Sequence, residues 1–78
     1  MDEQYSVEII DNKGACVCVL MSTKFWDEAN SMFRDIRKGF YSFDKALVLF
    51  DNGEMFDWYA NSAAFTYFTD RFIDEALS

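Results

Sequence analysis

The chain contains no histidine and no proline, and three of its 78 residues are glycine. Without histidine it lacks the commonest general base and the commonest metal ligand. A cysteine nucleophile needs an activating base, which is usually histidine, so a cysteine enzyme is not expected. No glycine-rich loop that could cradle a phosphate is present, and no serine-centred nucleophile elbow. We therefore expect no enzymatic activity, no catalytic or metal-binding residue and no cofactor.

Cysteine is also scarce, since Cys16 and Cys18 are the two in the chain. They lie two residues apart in a strand-like run, where such side chains point the same way, and a bond between them would strain the disulfide geometry. The pattern predicts two buried thiols, which suit a reducing cytoplasm. The acidic, polar N-terminus is unlike a signal peptide, and no apolar run is long enough to span a membrane. The sequence therefore predicts a cytoplasmic protein.

Basic residues are few, because seven Lys and Arg accompany fourteen Asp and Glu, for a net charge of −7. Nucleic acids and anionic membranes attract positive charge, so neither is expected as a direct partner. The natural counterpart of an acidic protein is a basic protein surface. Residues 40–78 hold seven acids and two bases, Lys45 and Arg71, so this half carries −5 of the net charge.

Apolar and aromatic residues are abundant, at 51% and 19% of the sequence. The clearest local signal among them is at residues 45–59, where two apolar runs flank Asp51-Asn52-Gly53. Asn-Gly is the strongest short-range signal of a β-hairpin, because a type I′ turn needs positive φ at both central residues. A similar turn at residues 11–14 joins two earlier apolar runs.

Apolar periodicity predicts four strands and two helices. The second strand is apolar on both faces, which favours a central place in the sheet. The first helix has acids near its start and bases near its end, an order that suits the helix dipole. The predicted strands are at residues 5–10, 15–21, 45–50 and 54–59, and the predicted helices at about 23–38 and 63–76.

Two apolar helix stripes need a surface to cover, and one face of a four-stranded sheet satisfies both. We therefore predict an α+β fold of order ββαββα, with a mainly antiparallel sheet and two helices packed on one face. Residues 1–78 are expected to form a single domain built from two pseudo-repeated ββα units, about 4–39 and 44–78. The two hairpins could join through the first and third strands or through the second and third.

With both helices on one face, the other face of the sheet would be open. An exposed patch with an apolar centre usually marks an interaction site. The alternative is that one strand is inverted in this prediction, since a one-residue slip swaps its faces. The predicted open face consists of Ser6, Glu8, Ile10, Lys45, Leu47, Leu49, Met55, Asp57 and Tyr59.

Charge and aromatic content favour a small acidic protein-binding module, an inhibitor or regulator that docks on a basic, nucleic-acid-binding surface of a larger protein. In size and charge the chain resembles the compact acidic inhibitors of host defence that phages encode, such as anti-CRISPR and anti-restriction proteins. The alternative is a homo-oligomeric structural or scaffolding protein, such as a homodimer, associating through the open sheet face or an edge strand. The predicted partner-binding residues are Tyr41, Asp57, Tyr59, Tyr67, Asp70, Asp74 and Glu75.

Overall fold

The structure is a computed structural model, and it describes residues 3–69. Its elements are β1 (Tyr5–Ile10), β2 (Cys16–Thr23), α1 (Trp26–Gly39), β3 (Ala46–Asp51), β4 (Glu54–Tyr59) and α2, which begins at residue 65 and is described over 65–69. The strands form one antiparallel sheet in the order β2-β1-β3-β4, so the hairpins join through β1 and β3. The α+β class and the order ββαββα are confirmed. Within the described part of the chain, neither helix is long and apolar enough to cross a bilayer.

Both hairpin turns have the backbone that their sequences predict. Asn52 and Gly53 have φ values of 54° and 83°, as a type I′ turn requires. In the first turn Gly14 has φ of 88°. There the Asp11 carboxylate accepts hydrogen bonds from the backbone N–H groups of Ala15 and Lys13, each at 2.9 Å, and these bonds hold the pKa of that carboxyl below its usual value.

The start of α1 is fixed by Thr23, although the helix begins at Trp26 rather than at Thr23 as predicted. The Thr23 hydroxyl accepts a hydrogen bond from the Phe25 N–H at 3.1 Å and donates one to Glu28 Oε1 at 2.7 Å. Both bonds are made by the one Thr23 hydroxyl, which ties the end of β2 to the first turn of α1, while Phe25 at the N-cap position forms no side-chain capping bond. The expected charge order is confirmed, with acids in the first turn and bases in the last.

The two helices pack on opposite faces of the sheet. Phe33 of α1 is buried with Leu47 of β3, whereas Phe68 of α2 is buried with Val48, the next residue of the same strand. Successive side chains of a strand point to opposite faces, so the prediction that both helices lie on one face is wrong. An apolar stripe shows that a helix packs against some surface, but it does not show which one. Both faces of β3 are apolar, so each helix can cover a different face.

The predicted open apolar face is therefore wrong as well. Leu47 and Leu49 lie under α1, Ile10 lies on the α2 side, and all three are buried. The prediction inverts β3 because it orients the strand by Lys45. That residue precedes β3, and its Nζ forms an ion pair with Asp44 at 3.0 Å, so it does not report the orientation of the strand.

β2 lies at an edge of the sheet rather than at its centre, and β3 is the strand buried on both faces. The ladder between β1 and β2 contains two register shifts, which leave Val17 and Leu20 without partners on β1. Val17 and Val19 are each 53% exposed. An apolar pattern on both faces, which resembles that of a central strand, here belongs to an exposed edge.

The irregularity at Val17 also separates the two cysteines. Cys16 lies opposite Ile10 and Cys18 lies opposite Ile9, so the two side chains point to opposite faces of the sheet. Both thiols are free and exposed, and the prediction that they are buried is wrong. A period-two pattern cannot reveal an extra residue in a strand, which is why the sequence suggests the opposite.

Substituting Gly53 by alanine should destabilise the fold by about 1–2 kcal/mol, because an L side chain is strained at a φ of +83°. Gly39→Ala is the matched control, since an added Cβ meets nothing within 4 Å at either position and Gly39 is helical. It should leave stability unchanged or raise it by up to about 1 kcal/mol. Urea unfolding of both variants measures this, and equal effects would contradict the assigned turn.

Phe68→Ala should destabilise the fold by roughly 3–5 kcal/mol, because the ring is fully buried against β3. The neighbouring Tyr67 is 54% exposed, so Tyr67→Ala should change stability by no more than about 0.5 kcal/mol. If Phe68→Ala leaves no folded population, Phe68→Leu provides a milder comparison. Similar midpoints for the Phe68 and Tyr67 variants in urea would show that α2 does not pack on this face.

Candidate functional site

The predicted partner-binding residues lie in three parts of the fold. Tyr41 is in the loop between α1 and β3, Asp57 and Tyr59 are on β4, and Tyr67 is on α2. Because α2 packs on the face opposite α1, Tyr67 and Tyr59 are on different sides of the sheet. Partner binding by these residues stays a prediction. Three further predicted residues lie outside the described part of the chain: Asp70, Asp74 and Glu75.

The loop from Phe40 to Lys45 carries the most prominent aromatic pair. Phe43 and Tyr41 are 71% and 64% exposed, the highest values among the large apolar residues described. Their rings meet edge to face with centroids 5.4 Å apart. The Ser42 hydroxyl between them accepts hydrogen bonds from the N–H groups of Asp44 and Lys45, which closes a tight turn. Phe43 is not among the partner-binding residues predicted from the sequence.

Asn61 fixes this loop to the start of α2. Its Oδ1 accepts a hydrogen bond from the Ser42 N–H at 2.8 Å, while its backbone carbonyl accepts from the N–H groups of Ala64 and Phe65. The Asn61 side chain is buried, and its Nδ2 has no hydrogen-bond partner within the described residues. The backbone between the two exposed rings is therefore tied by part-buried hydrogen bonds before any partner arrives.

Tyr59 and Asp57 are used mainly within the fold. The Tyr59 ring lies edge to face with Phe40 at 6.4 Å and beneath the Arg37 guanidinium at 5.0 Å. The exposed Asp57 carboxylate accepts a hydrogen bond from the Trp58 N–H at 2.8 Å. The sequence suggests that both side chains are available to a partner. In the structure, the Tyr59 ring already contacts Phe40 and Arg37, and the Asp57 carboxylate already accepts a hydrogen bond.

The two flanks of α1 differ in charge. A depression of about 590 Å³ on the β4 side, toward Tyr59, is lined by Asn30, Arg34, Arg37 and Lys38, together with Asp27, Ser31 and Asp35. A second depression of about 390 Å³ on the β2 side is lined by Met21, Ser31, Met32 and the carboxylates of Asp27, Glu28 and Asp35, and no basic residue lines it. We define the β4 flank as Asn30, Arg34, Arg37 and Lys38, and the β2 flank as Glu28, Ser31, Met32 and Asp35.

A second aromatic cluster lies at the other end of the sheet and was missed in the sequence. Trp26 contacts Tyr5 and Phe56 edge to face, at centroid distances of 5.6 and 4.8 Å. Phe56 is 59% exposed because the β3–β4 ladder shifts register there, so that Met55 pairs with Phe50 and Phe56 has no partner. The shift turns Phe56 toward Trp26, on the α1 side, and a regular alternation would not place it there.

The Cys16 thiol lies near the Glu8 carboxylate, on the α2 side of the sheet. Desolvation by neighbouring atoms raises the pKa of the Cys16 thiol, and the hydrogen bond and negative charge of Glu8 raise it further. A thiolate is therefore disfavoured there. No cluster of three or more metal-ligating side chains occurs within residues 3–69.

No protein-family model, curated protein sequence or solved structure matches this chain.

Glu8→Gln should make Cys16 react faster with iodoacetamide at pH 8, because removing the carboxylate lowers the pKa of the thiol and raises the thiolate fraction. A Cys18→Ser background leaves Cys16 as the single thiol. Alkylation rates measured from pH 7 to 10 should show the midpoint moving to lower pH. Glu54→Gln, at the opposite edge of the sheet, is the control with the same change in charge. An unmoved midpoint for Glu8→Gln would rule out the contact.

Proposed function

We propose that this chain is a protein-binding module that docks on a basic surface of a larger protein. The observation that carries the proposal is the pair of exposed rings, Tyr41 and Phe43, on a loop held by Ser42 and Asn61. Exposed apolar groups in a fixed arrangement are typical of interaction sites, and aromatic anchors supply much of the binding energy at such sites. Because the loop is already ordered, little entropy is lost when it binds.

The charge of the chain supports a basic partner. A net charge of −7 on 78 residues speeds the encounter with a positive surface and opposes binding to nucleic acid. A module of this kind acts as an inhibitor or regulator when the surface that it covers is one that binds nucleic acid. This is the mode of action that we propose, in keeping with the similarity in size and charge to phage inhibitors of host defence. The free thiols suit a reducing, cytoplasmic setting.

The test compares the proteins that immobilised wild type and a Tyr41→Ala/Phe43→Ala variant retain from a lysate of the cells that express the chain. The double variant should lose the partner by at least tenfold, because two aromatic anchors together contribute roughly 2 kcal/mol or more. Quantitative mass spectrometry at 0.1 M and 1 M salt measures the loss. The partner should be basic, and its retention should fall at high salt, where the screening length is about 3 Å.

Phe25→Ala is the matched control. Phe25 is 55% exposed and adjoins Thr23 and Trp26, at the opposite end of the sheet from the loop. It should retain the same proteins as wild type. Equal retention by all three forms would overturn the role of the loop. A partner that stays bound equally well at 1 M salt would overturn docking by charge.

A further inference from the structure

The outer edge of β2 is an apolar, uncharged strand edge. No charged residue occurs from Gly14 to Thr23, and no other strand in residues 3–69 pairs with the side of β2 that faces away from β1. Native sheets usually protect such edges with charged residues or proline. Here Val17 and Val19 remain about half exposed instead. The opposite edge is guarded, since β4 carries Glu54 and Asp57 and the Asp57 carboxylate binds the Trp58 N–H.

Carboxylates lie on both sides of this edge. On the α1 side, the depression beside the β2 flank, which we call the groove, is lined by the apolar side chains of Met21 and Met32 and by the carboxylates of Asp27, Glu28 and Asp35. On the α2 side, Glu8 lies opposite Val19 in the β1–β2 ladder. No basic nitrogen of the described residues lies within 4.0 Å of these carboxylates. Glu28 and Glu8 accept hydrogen bonds from the neutral hydroxyls of Thr23 and Ser6, which do not compensate the negative charge of the carboxylates.

A lysine or arginine side chain has the chemistry that fits this groove. Its aliphatic stem can lie against the two methionines while its charged head reaches the carboxylates that line the same groove. Methionine adapts its shape to such a stem because its side chain is flexible and polarizable. The strand edge beside the groove offers backbone groups that an extended segment can pair with. The groove and the edge therefore favour the same ligand, an extended basic segment.

We infer that β2 accepts an extended segment of a partner polypeptide as a fifth strand, with a lysine or arginine of that segment lying in the groove over Met21 and Met32. This inference rests on the proposed function in assuming a basic protein partner. It uses residues separate from Tyr41 and Phe43, so either can fail without the other.

A second copy of the chain is a poorer occupant of the same edge. Antiparallel pairing of two β2 strands would bring the carboxylates that line the groove in both copies toward one junction on the α1 side, where like charges repel. It would also bring together two edges that each contain irregularities at Val17 and Leu20, which hinder regular pairing. A flexible segment can bend to follow one irregular edge.

The test uses two end-blocked nine-residue peptides of equal charge, one alternating valine with lysine and one alternating proline with lysine. Proline has no N–H and cannot pair fully with a strand edge. The full-length protein should bind the valine peptide at least tenfold more tightly, measured by fluorescence anisotropy. Amide shifts on titration should concentrate in β2, with methyl shifts at Met21 and Met32. Equal affinity for both peptides would mean attraction by charge alone and would overturn the inference.

Glu28→Gln/Asp35→Asn should weaken binding of the valine peptide by at least fivefold, because two of the three carboxylates that line the groove become neutral amides of the same shape. The amide that replaces the Glu28 carboxylate still has an oxygen that accepts from the Thr23 hydroxyl, so the helix start is preserved. The control is Asp51→Asn/Glu54→Gln, which removes the same charge at the β3–β4 turn and should change affinity by less than twofold. If both double variants weaken binding of the valine peptide equally, the groove is not where the basic side chain binds.

Light scattering of the free protein tests whether a second copy of the chain occupies the β2 edge. A dimer that Val19→Lys converts to monomer would make β2 a contact between copies and would overturn the inference. Tyr41→Ala/Phe43→Ala should bind the valine peptide as wild type does. If that variant loses its cellular partner but keeps the peptide, the β2 site stands. If wild type retains the cellular partner but does not bind the peptide, the proposal for the aromatic loop is supported and the inference about β2 is wrong.

Discussion

Burial of β3 on both faces is the constraint on which the rest of the fold depends. Leu47 and Val48, neighbours in sequence, are both fully buried, one with α1 and the other with α2. A small domain has few residues for its core. A strand that is covered by a helix on each face can bury all of its apolar side chains, whichever way they point. Once β1 and β3 form the covered centre, β2 and β4 become edges, and the surface available for binding lies along those edges and the loops at their ends.

Local chemistry could be predicted from the sequence, because single residues decide it. Asn52, Gly53 and Gly14 each adopt the positive φ that their turns need, and the fold class follows from the periodicity of the apolar runs. Relations between elements could not be predicted in the same way. An apolar stripe on a helix does not specify which face of the sheet the helix covers. Because the prediction assigns Lys45 to β3 and points it outward, the predicted orientation of the whole strand is inverted.

The candidate surfaces escaped prediction for a related reason. Extra residues in β2 and β4 turn Cys16 and Phe56 away from the directions that strict alternation gives them. Charge along the chain is likewise a poor guide to charge in space. The C-terminal half is the more acidic one in sequence, yet the structure places Glu28 and Asp35 of the other half beside the exposed edge. Of the predicted aromatic residues, Tyr41 alone lies in a loop, and that loop is tied to the start of α2 by the hydrogen bond from Ser42 to Asn61.

The shared contacts of Asn61 have a consequence for local unfolding. One residue holds the Ser42 loop through its side chain and the first turn of α2 through its backbone carbonyl. Segments that share such a buried hydrogen-bonding group tend to open together as one cooperative unit. A partner that binds the loop would thereby also suppress fraying at the start of α2, although it need not touch that helix.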